Sequence, residues 1–442
     1  MTLRTARLAV ALAAIPFSWA FAQAAAQPAE GQALSTRSLV SAERIFERFR
    51  ADCKADGGAL WGVSLCGPLL LVAEDGRVTA NMADPEGRLK RVGAVWTAEI
   101  PKGSGPIFSD TSADWSGRQW AIVRHQPERT ALDYARLTVH ESFHRIQPQL
   151  KFSVSGTTTA DHLDEPAGRL WLRLTLRALR AAIEAPNRRA AREHLTAALA
   201  MNAYRHHFPN AAEAERQLEL HEGLAEYTAW RLARSASVRA ELAEHLGTGD
   251  SIPSYSRSFA YYSGPAWGLA FDRFGVDWRR RLADGAPGLP AAGLQALRLD
   301  MDSVTETRAT ALAQRYGHAA LFAQERERGE RTAAARAEFR ARFVEGPRLI
   351  VPLHQVNFNP GTVTALPDHG QVYGTLAVTG PWGSLTTTHG ALVNWARREV
   401  VVDALGEPRL PSWSTARWQL ELNPAWKLER RGKDLVVVPL SP

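Results

Sequence analysis

Apolar residues recur along this chain at two spacings, and each change of spacing marks a boundary. Residues 36–52 place them at helical intervals, as in SAERIFERFRADC. Between 58 and 125, short apolar runs such as PLLLVA, RVTANM and QWAIVR are broken by Gly, Pro and Asp, which predicts strands and turns. From 131 to about 344 the pattern is almost wholly helical. After Gly346-Pro347 it changes again, and RLIVPLHQVNF, VYGTLAVTG, ALVNWA, REVVVDA, RWQLEL and DLVVVPL predict short strands. The predicted fold class is therefore α+β. Residues 23–130 form a helix-and-strand lobe, 131–345 a helical lobe, and 346–442 an all-β domain, either a sandwich or an open barrel. No internal repeat is visible.

The first 22 residues have a different character. Arg4 and Arg7 precede the apolar run LAVALAAIPFSWAFA, which ends in small residues and predicts an export signal cleaved after Ala22. Pro16 and the shortness of the run argue against a permanent membrane span, so a periplasmic or secreted protein is expected. The Ala/Gln/Pro/Gly-rich composition of 23–35 predicts a flexible stretch. Cys53 and Cys66 are the only two cysteines, and in an oxidising compartment they are expected to form one disulfide. They lack the C-x-x-C spacing of a redox or zinc site.

Net charge changes the picture little. The formal charge is +7, and only six of the 53 basic residues are lysine. Arginines alternate with acids, as in QERERGERTAAARAEFRARF, which is the pattern of a solvated helix rather than of a phosphate-binding surface. Nucleic-acid binding is not expected.

Candidate chemistry concentrates in the helical lobe. LDYARLTVHESFHRIQPQL contains His140-Glu141-Ser142-Phe143-His144, an H-E-x-x-H motif. Residues four apart share a helix face, so His140 and His144 can close on one metal ion. Glu141 then sits beside a metal-bound water and can act as its base. Leu132, Tyr134, Leu137, Val139 and Phe143 supply a buried face, and Pro148 ends the helix. A catalytic zinc needs a third protein ligand. The extended form with a downstream Gly and His is excluded, because Gln147 and Leu150 occupy those places. The segment QLELHEGLAEYTAWRLA offers Glu222 instead, with Glu226 one turn later to hold a ligating His through its outer nitrogen. The competing reading makes Glu219, Glu222 and Glu226 one solvated stripe.

With these residues the chain resembles the gluzincin metallopeptidases, the group that includes thermolysin and the aminopeptidase N enzymes. Their third ligand is a Glu on a later helix, written E-x-x-x-D or N-E-G-(F/L)-A. His221-Glu222-Gly223-Leu224-Ala225 matches the second form with His for Asn, and Glu222-x-x-x-Glu226 the first with Glu for Asp. The aminopeptidase Y-x-K-G is matched by Tyr261-Tyr262-Ser263-Gly264, with Ser in place of Lys. Trp115-x-Gly117-x-x-Trp120 and the H-R-I-Q ending at Gln147 point to a bacterial secreted branch of the group.

The resemblance covers roughly residues 110–285. It implies a two-lobed catalytic core with the metal cleft between the lobes, and a secreted metallopeptidase that acts on peptides or proteins. Zn2+ would be held by His140, His144 and Glu222, with Glu226 behind them. Glu141 would be the general base and Tyr261 the oxyanion donor, with Tyr262 and Tyr255 as alternatives. Two departures stand out. The 78 positions between His144 and Glu222 exceed the family's spacer, and predict an inserted helical hairpin over LDEPAGRLWLRLTLRALRAAIEA and NRRAAREHLTAALAMNAYRHHF. G-x-M-E-N, which holds a substrate amino terminus, is absent, so endopeptidase activity is favoured, with Asp161, Asp164 and Glu165 as possible substitutes. Three alternatives stay open: a zinc hydrolase of non-peptide amides or esters, an inactive periplasmic binding protein, and a reader function for the Trp-rich C-terminal domain.

Overall fold

The architecture is described by a computed structural model over residues 36–100, 108–126, 129–150, 152, 159–359 and 362–440. The expected signal segment and its cleavage point lie outside the described residues. The described chain is mixed, 47% helical and 22% strand, with a β-rich C-terminal region. Among the described residues no helix is long and apolar enough to cross a membrane.

Helix α1 (Thr36–Asp56) leads into a six-stranded sheet. Its strands are β1 (Leu69–Val72), β2 (Arg77–Ala80), β3 (Lys90–Val92), β4 (Val95–Glu99), β5 (Thr111–Trp115) and β6 (Arg118–Arg124). They lie in the order β3-β4-β2-β1-β6-β5. Strand β6 runs parallel to β1, with Leu69 opposite Ala121 and Val72 opposite Arg124, and it is fully buried from Trp120 onward. The disulfide Cys53–Cys66 joins α1 to the approach to β1 across a Cα–Cα distance of 5.2 Å.

Strand β6 delivers the chain to α2 (Ala131–Ile146). Thr130 and Asp133 form a capping box there, each side chain accepting a backbone N–H of the other residue. Pro148 turns the far end into a short 3-10 segment, Gln147–Gln149. The helix packs against β5, β6 and α1 on one side and the helical region on the other, so even His140, Glu141 and Ser142 are buried.

The long interval after α2 contains α3 (Pro166–Glu184) and α4 (Arg188–Arg205), packed against each other as an antiparallel pair, the predicted hairpin. Next comes one continuous helical rod of three parts: α5 (Ala211–Leu218), a π turn at Glu219–Gly223 and α6 (Leu224–Leu232). After α7 (Val238–Gly249), helix α8 (Phe259–Arg273) crosses α6 and the π turn. Contact is close because both partners are glycine: a Cβ on Gly264 would lie 2.3 Å from the Gly223 Cα. Four further helices, α9 (Trp278–Ala283), α10 (Leu289–Leu297), α11 (Glu306–Ala313) and α12 (His318–Arg340), complete the region.

The C-terminal strands form a seven-stranded and a five-stranded sheet that enclose one core. Leu349, Val351 and Val400 of the first sheet meet Val378, Leu385 and Leu420 of the second, the arrangement of a β-sandwich. Trp382, Trp413 and Trp418 are buried in that core, and Trp395 and Trp426 pack partly buried against it. Five tryptophans on an exposed strip would suit a reader; these are committed to packing. The sandwich also touches the helical region, where Gln371 Nε2 donates to Thr159 Oγ1 at 2.8 Å.

Candidate metal centre

His140 and His144 project from α2 and Glu222 from the π turn, and their ligand atoms converge. The two Nε2 atoms are 3.1 Å apart, and each lies 3.4 Å from Glu222 Oε2. Among the described residues this is the one group of three His, Cys, Asp or Glu side chains close enough to share an ion. Donors about 2.0–2.1 Å from a tetrahedral ion are separated by about 3.3–3.4 Å, so the triangle has the size such an ion requires.

The outer nitrogens decide what the inner ones can do. His140 Nδ1 lies 2.9 Å from Glu226 Oε2, and Trp230 Nε1 donates to the other Glu226 oxygen at 3.0 Å. His144 Nδ1 lies 3.0 Å from Gln147 Oε1, whose amide nitrogen donates to the Leu220 carbonyl at 2.9 Å. Both Nδ1 atoms therefore face acceptors and carry the ring protons. In neutral rings the two Nε2 lone pairs then point at one another and at a carboxylate oxygen. Only protons or a cation can occupy the space among them.

The electrostatics agree. Burial works against an imidazolium at His140, yet hydrogen bonds to Glu222 and Glu226 raise its pKa well above the usual value. His144 is raised likewise against burial, by Glu222. Burial alone would raise the Glu222 carboxyl, but hydrogen bonds from His140, His144 and His221 hold it well below its ordinary range. Glu141 is almost fully enclosed, and burial pushes it up to about 7 against the pull of His140 and His144. The solvated-stripe reading of Glu219, Glu222 and Glu226 fails, since Glu219 is fully buried and the other two are largely so.

Of the three candidate tyrosines, the structure brings only Tyr261 to this group. Its ring is parallel to that of His140 with centroids 5.9 Å apart, and burial together with the nearby Glu222 carboxylate raises its pKa well above the usual phenol value. His245 Nε2 donates to the Tyr261 carbonyl at 3.1 Å and fixes the start of α8. Tyr262 stacks on His245, and Tyr255 is buried with its hydroxyl donating to the Gly249 carbonyl. Ser263, where the family pattern has Lys, donates to Glu219 Oε1 at 3.3 Å.

The three substitute carboxylates are already engaged. Asp164 accepts from Ser254 and from the Tyr255 N–H and pairs with Arg169. Asp161 accepts from Ser256 and Gln371, and Glu165 pairs with Arg336.

Two residues at the site were not singled out by sequence reasoning. Gln147 bridges the end of α2 to the π turn, although it had entered only as the residue that excludes the extended motif and as the last letter of H-R-I-Q. His221 had entered only as a mismatch to Asn. The chain matches no family model, no curated protein and no solved structure in the three comparisons made. The arrangement itself carries the functional argument.

Proposed function

We propose that this protein is an exported zinc-dependent metallopeptidase of gluzincin type. The observation that carries the reading is the convergence of His140 Nε2, His144 Nε2 and Glu222 Oε2, with both histidines oriented from behind by Glu226 and Gln147. Two imidazoles and one carboxylate form the donor set of a hydrolytic zinc site with an open fourth position. Zinc bound there supplies a Lewis acid that lowers the pKa of water at that position. The gluzincin-like core is part of this proposal. It takes support from the two-helix ligand set and from the hairpin of α3 and α4 that fills the long spacer. The disulfide Cys53–Cys66 suits an oxidising compartment and supports export.

The chain's own residues divide the work. Glu141, within electrostatic reach of His140, His144 and Glu222, accepts the proton of the attacking water and passes it to the departing nitrogen. Tyr261, stacked on His140, donates its hydroxyl to the scissile carbonyl oxygen as negative charge develops on it. Gln147 and Glu226 hold the imidazoles in one tautomer throughout.

Elemental analysis of the full chain should find one zinc, lost or strongly weakened in His140→Ala, His144→Ala and Glu222→Ala. A peptide library should be cleaved by the parent, and Glu141→Gln should keep zinc while turnover falls by about 10²–10⁴-fold. Full zinc occupancy in Glu222→Ala, or near-parental turnover in Glu141→Gln, would overturn the reading. Cleavage of esters or non-peptide amides alone would keep the chemistry and replace the substrate class.

A further inference from the structure

Glu222 has a second oxygen, and the residue that meets it is its own neighbour. His221 Nδ1 lies 3.1 Å from Glu222 Oε1, while Oε2 of the same carboxylate faces His140 and His144. Adjacent residues on a regular helix do not face each other. These two meet inside the π turn, where the Leu224 N–H reaches back five residues to the Glu219 carbonyl. The His221 ring also lies over that of His144, with centroids 4.6 Å apart and planes inclined by 29°. Its side chain is 25% exposed, so it borders the open side of the group.

We propose that His221 is a positioning residue for the third ligand: its Nδ1–H holds Oε1 of Glu222 and leaves Oε2 alone to face the ion. The proposal rests on the metal-binding reading above. A carboxylate that can turn offers both oxygens, and the second would fill the position a hydrolytic site keeps open. A donor fixed on Oε1 removes that freedom. The donor is itself held twice. The stack on His144 sets the plane of the imidazole, and Gln147, which orients His144, approaches the His221 carbonyl at 3.4 Å as well as that of Leu220. His144 and His221 are thus braced by one side chain, and a change at either is felt at both edges of the carboxylate.

Two substitutions separate the hydrogen bond from the stack. His221→Phe keeps a ring over His144 and removes the donor; His221→Asn keeps an N–H close to the Nδ1 position and removes the ring. Zinc affinity of the full chain is measured by competition with a chromophoric chelator, and metal-free unfolding in denaturant checks each variant's fold. The expected result is a loss of about 10–100-fold in affinity for His221→Phe and near-parental affinity for His221→Asn. Cobalt(II) in place of zinc gives a readout independent of activity: the intense visible bands of a four-coordinate site should weaken in His221→Phe as the second oxygen joins, and persist in His221→Asn. Parental zinc affinity in His221→Phe overturns the proposal, as does a His221→Asn protein as weak as His221→Phe. Glu222→Ala is titrated alongside. If it loses zinc while His221→Phe does not, the metal reading stands and only the role of His221 falls. A parent chain without zinc affinity removes both.

Discussion

Two buried glutamates seven positions apart on the same helical rod have opposite surroundings. Glu215, on α5, receives Arg205 through both oxygens, Nε at 2.7 Å and Nη2 at 2.6 Å, with His162 and His206 completing its shell. Glu222, in the π turn, has the imidazoles of His140, His144 and His221 as its ion-pair partners, with Tyr261 close by. A guanidinium is charged at every relevant pH, so the first carboxylate is neutralised by the chain itself. At the second, the two deepest imidazoles turn their outer nitrogens to Glu226 and Gln147 and face the carboxylate with inner nitrogens that must share either protons or a cation with it. Similar burial thus yields a structural ion pair in one place and a cation-seeking group in the other. The difference lies in the partners' chemistry, not in depth.

The largest effect should come from breaking the self-sufficient pair. Arg205→Leu leaves the Glu215 carboxylate buried without its guanidinium and is expected to cost about 3–5 kcal/mol in denaturant unfolding. Glu222→Ala should cost the metal-free protein clearly less, because no guanidinium is stranded. Equal losses would erase the distinction. The same pair sets an acid dependence. Burial would raise the Glu215 carboxyl, but Arg205 and His206 hold it well below its ordinary value. Its folded pKa is depressed, so its contribution is complete above the unfolded value near 4.5 and is lost as pH falls through the folded value. Unfolding compared at pH 6 and pH 3 should therefore show a steeper acid loss in the parent than in Glu215→Gln.

Zinc should act only at the other glutamate. At a hundred times its dissociation constant it should raise stability by about 2.7 kcal/mol in the parent and not at all in Glu222→Ala. Thermal scans with and without metal measure this. Gln147→Leu leaves the His144 outer nitrogen without its acceptor, and should weaken zinc about 10–100-fold, or about 1.4–2.7 kcal/mol. An unchanged titration curve would mean that the His144 tautomer is set elsewhere.

The smallest effect concerns the substrate's amino end. Asp161 is held by Ser256 and Gln371, Asp164 by Arg169 and Glu165 by Arg336, so each already has a partner within the fold. Free and N-acetylated versions of one cleaved peptide should have kcat/KM values within a few-fold. A loss of about 10³-fold on acetylation, roughly 4 kcal/mol, would reveal an amine-reading carboxylate and an exopeptidase.

Much of this was legible in one dimension because it depends on local periodicity. The spacing of four placed His140 and His144 on one helix face, and the same spacing put Glu226 behind Glu222. The loss of helical period after Gly346-Pro347 marked the β-rich region, and the apolar runs marked β1, β2 and β6. Strands β3, β4 and β5 went unmarked: β3 is exposed throughout and β5 is buried only at Trp115, while β4 alternates but has Thr97 at one of its two buried positions. The register of the Y-x-K-G resemblance favoured Tyr261 but left Tyr262 and Tyr255 open. The structure stacks Tyr261 on His140, Tyr262 on His245, and ties the Tyr255 hydroxyl to the Gly249 carbonyl.

The sequence by itself therefore determined which residue types lie on which helix face, because a helix repeats every 3.6 residues whatever surrounds it. Tertiary structure alone decided that the two faces meet, that a π turn carries Glu222, and that Gln147 and His221 close around the ligands. The Gln147 contacts join positions 73 and 74 residues apart, across α3 and α4. Their geometry is fixed by glycine-to-glycine packing and by where each imidazole finds an acceptor, and no local pattern encodes either.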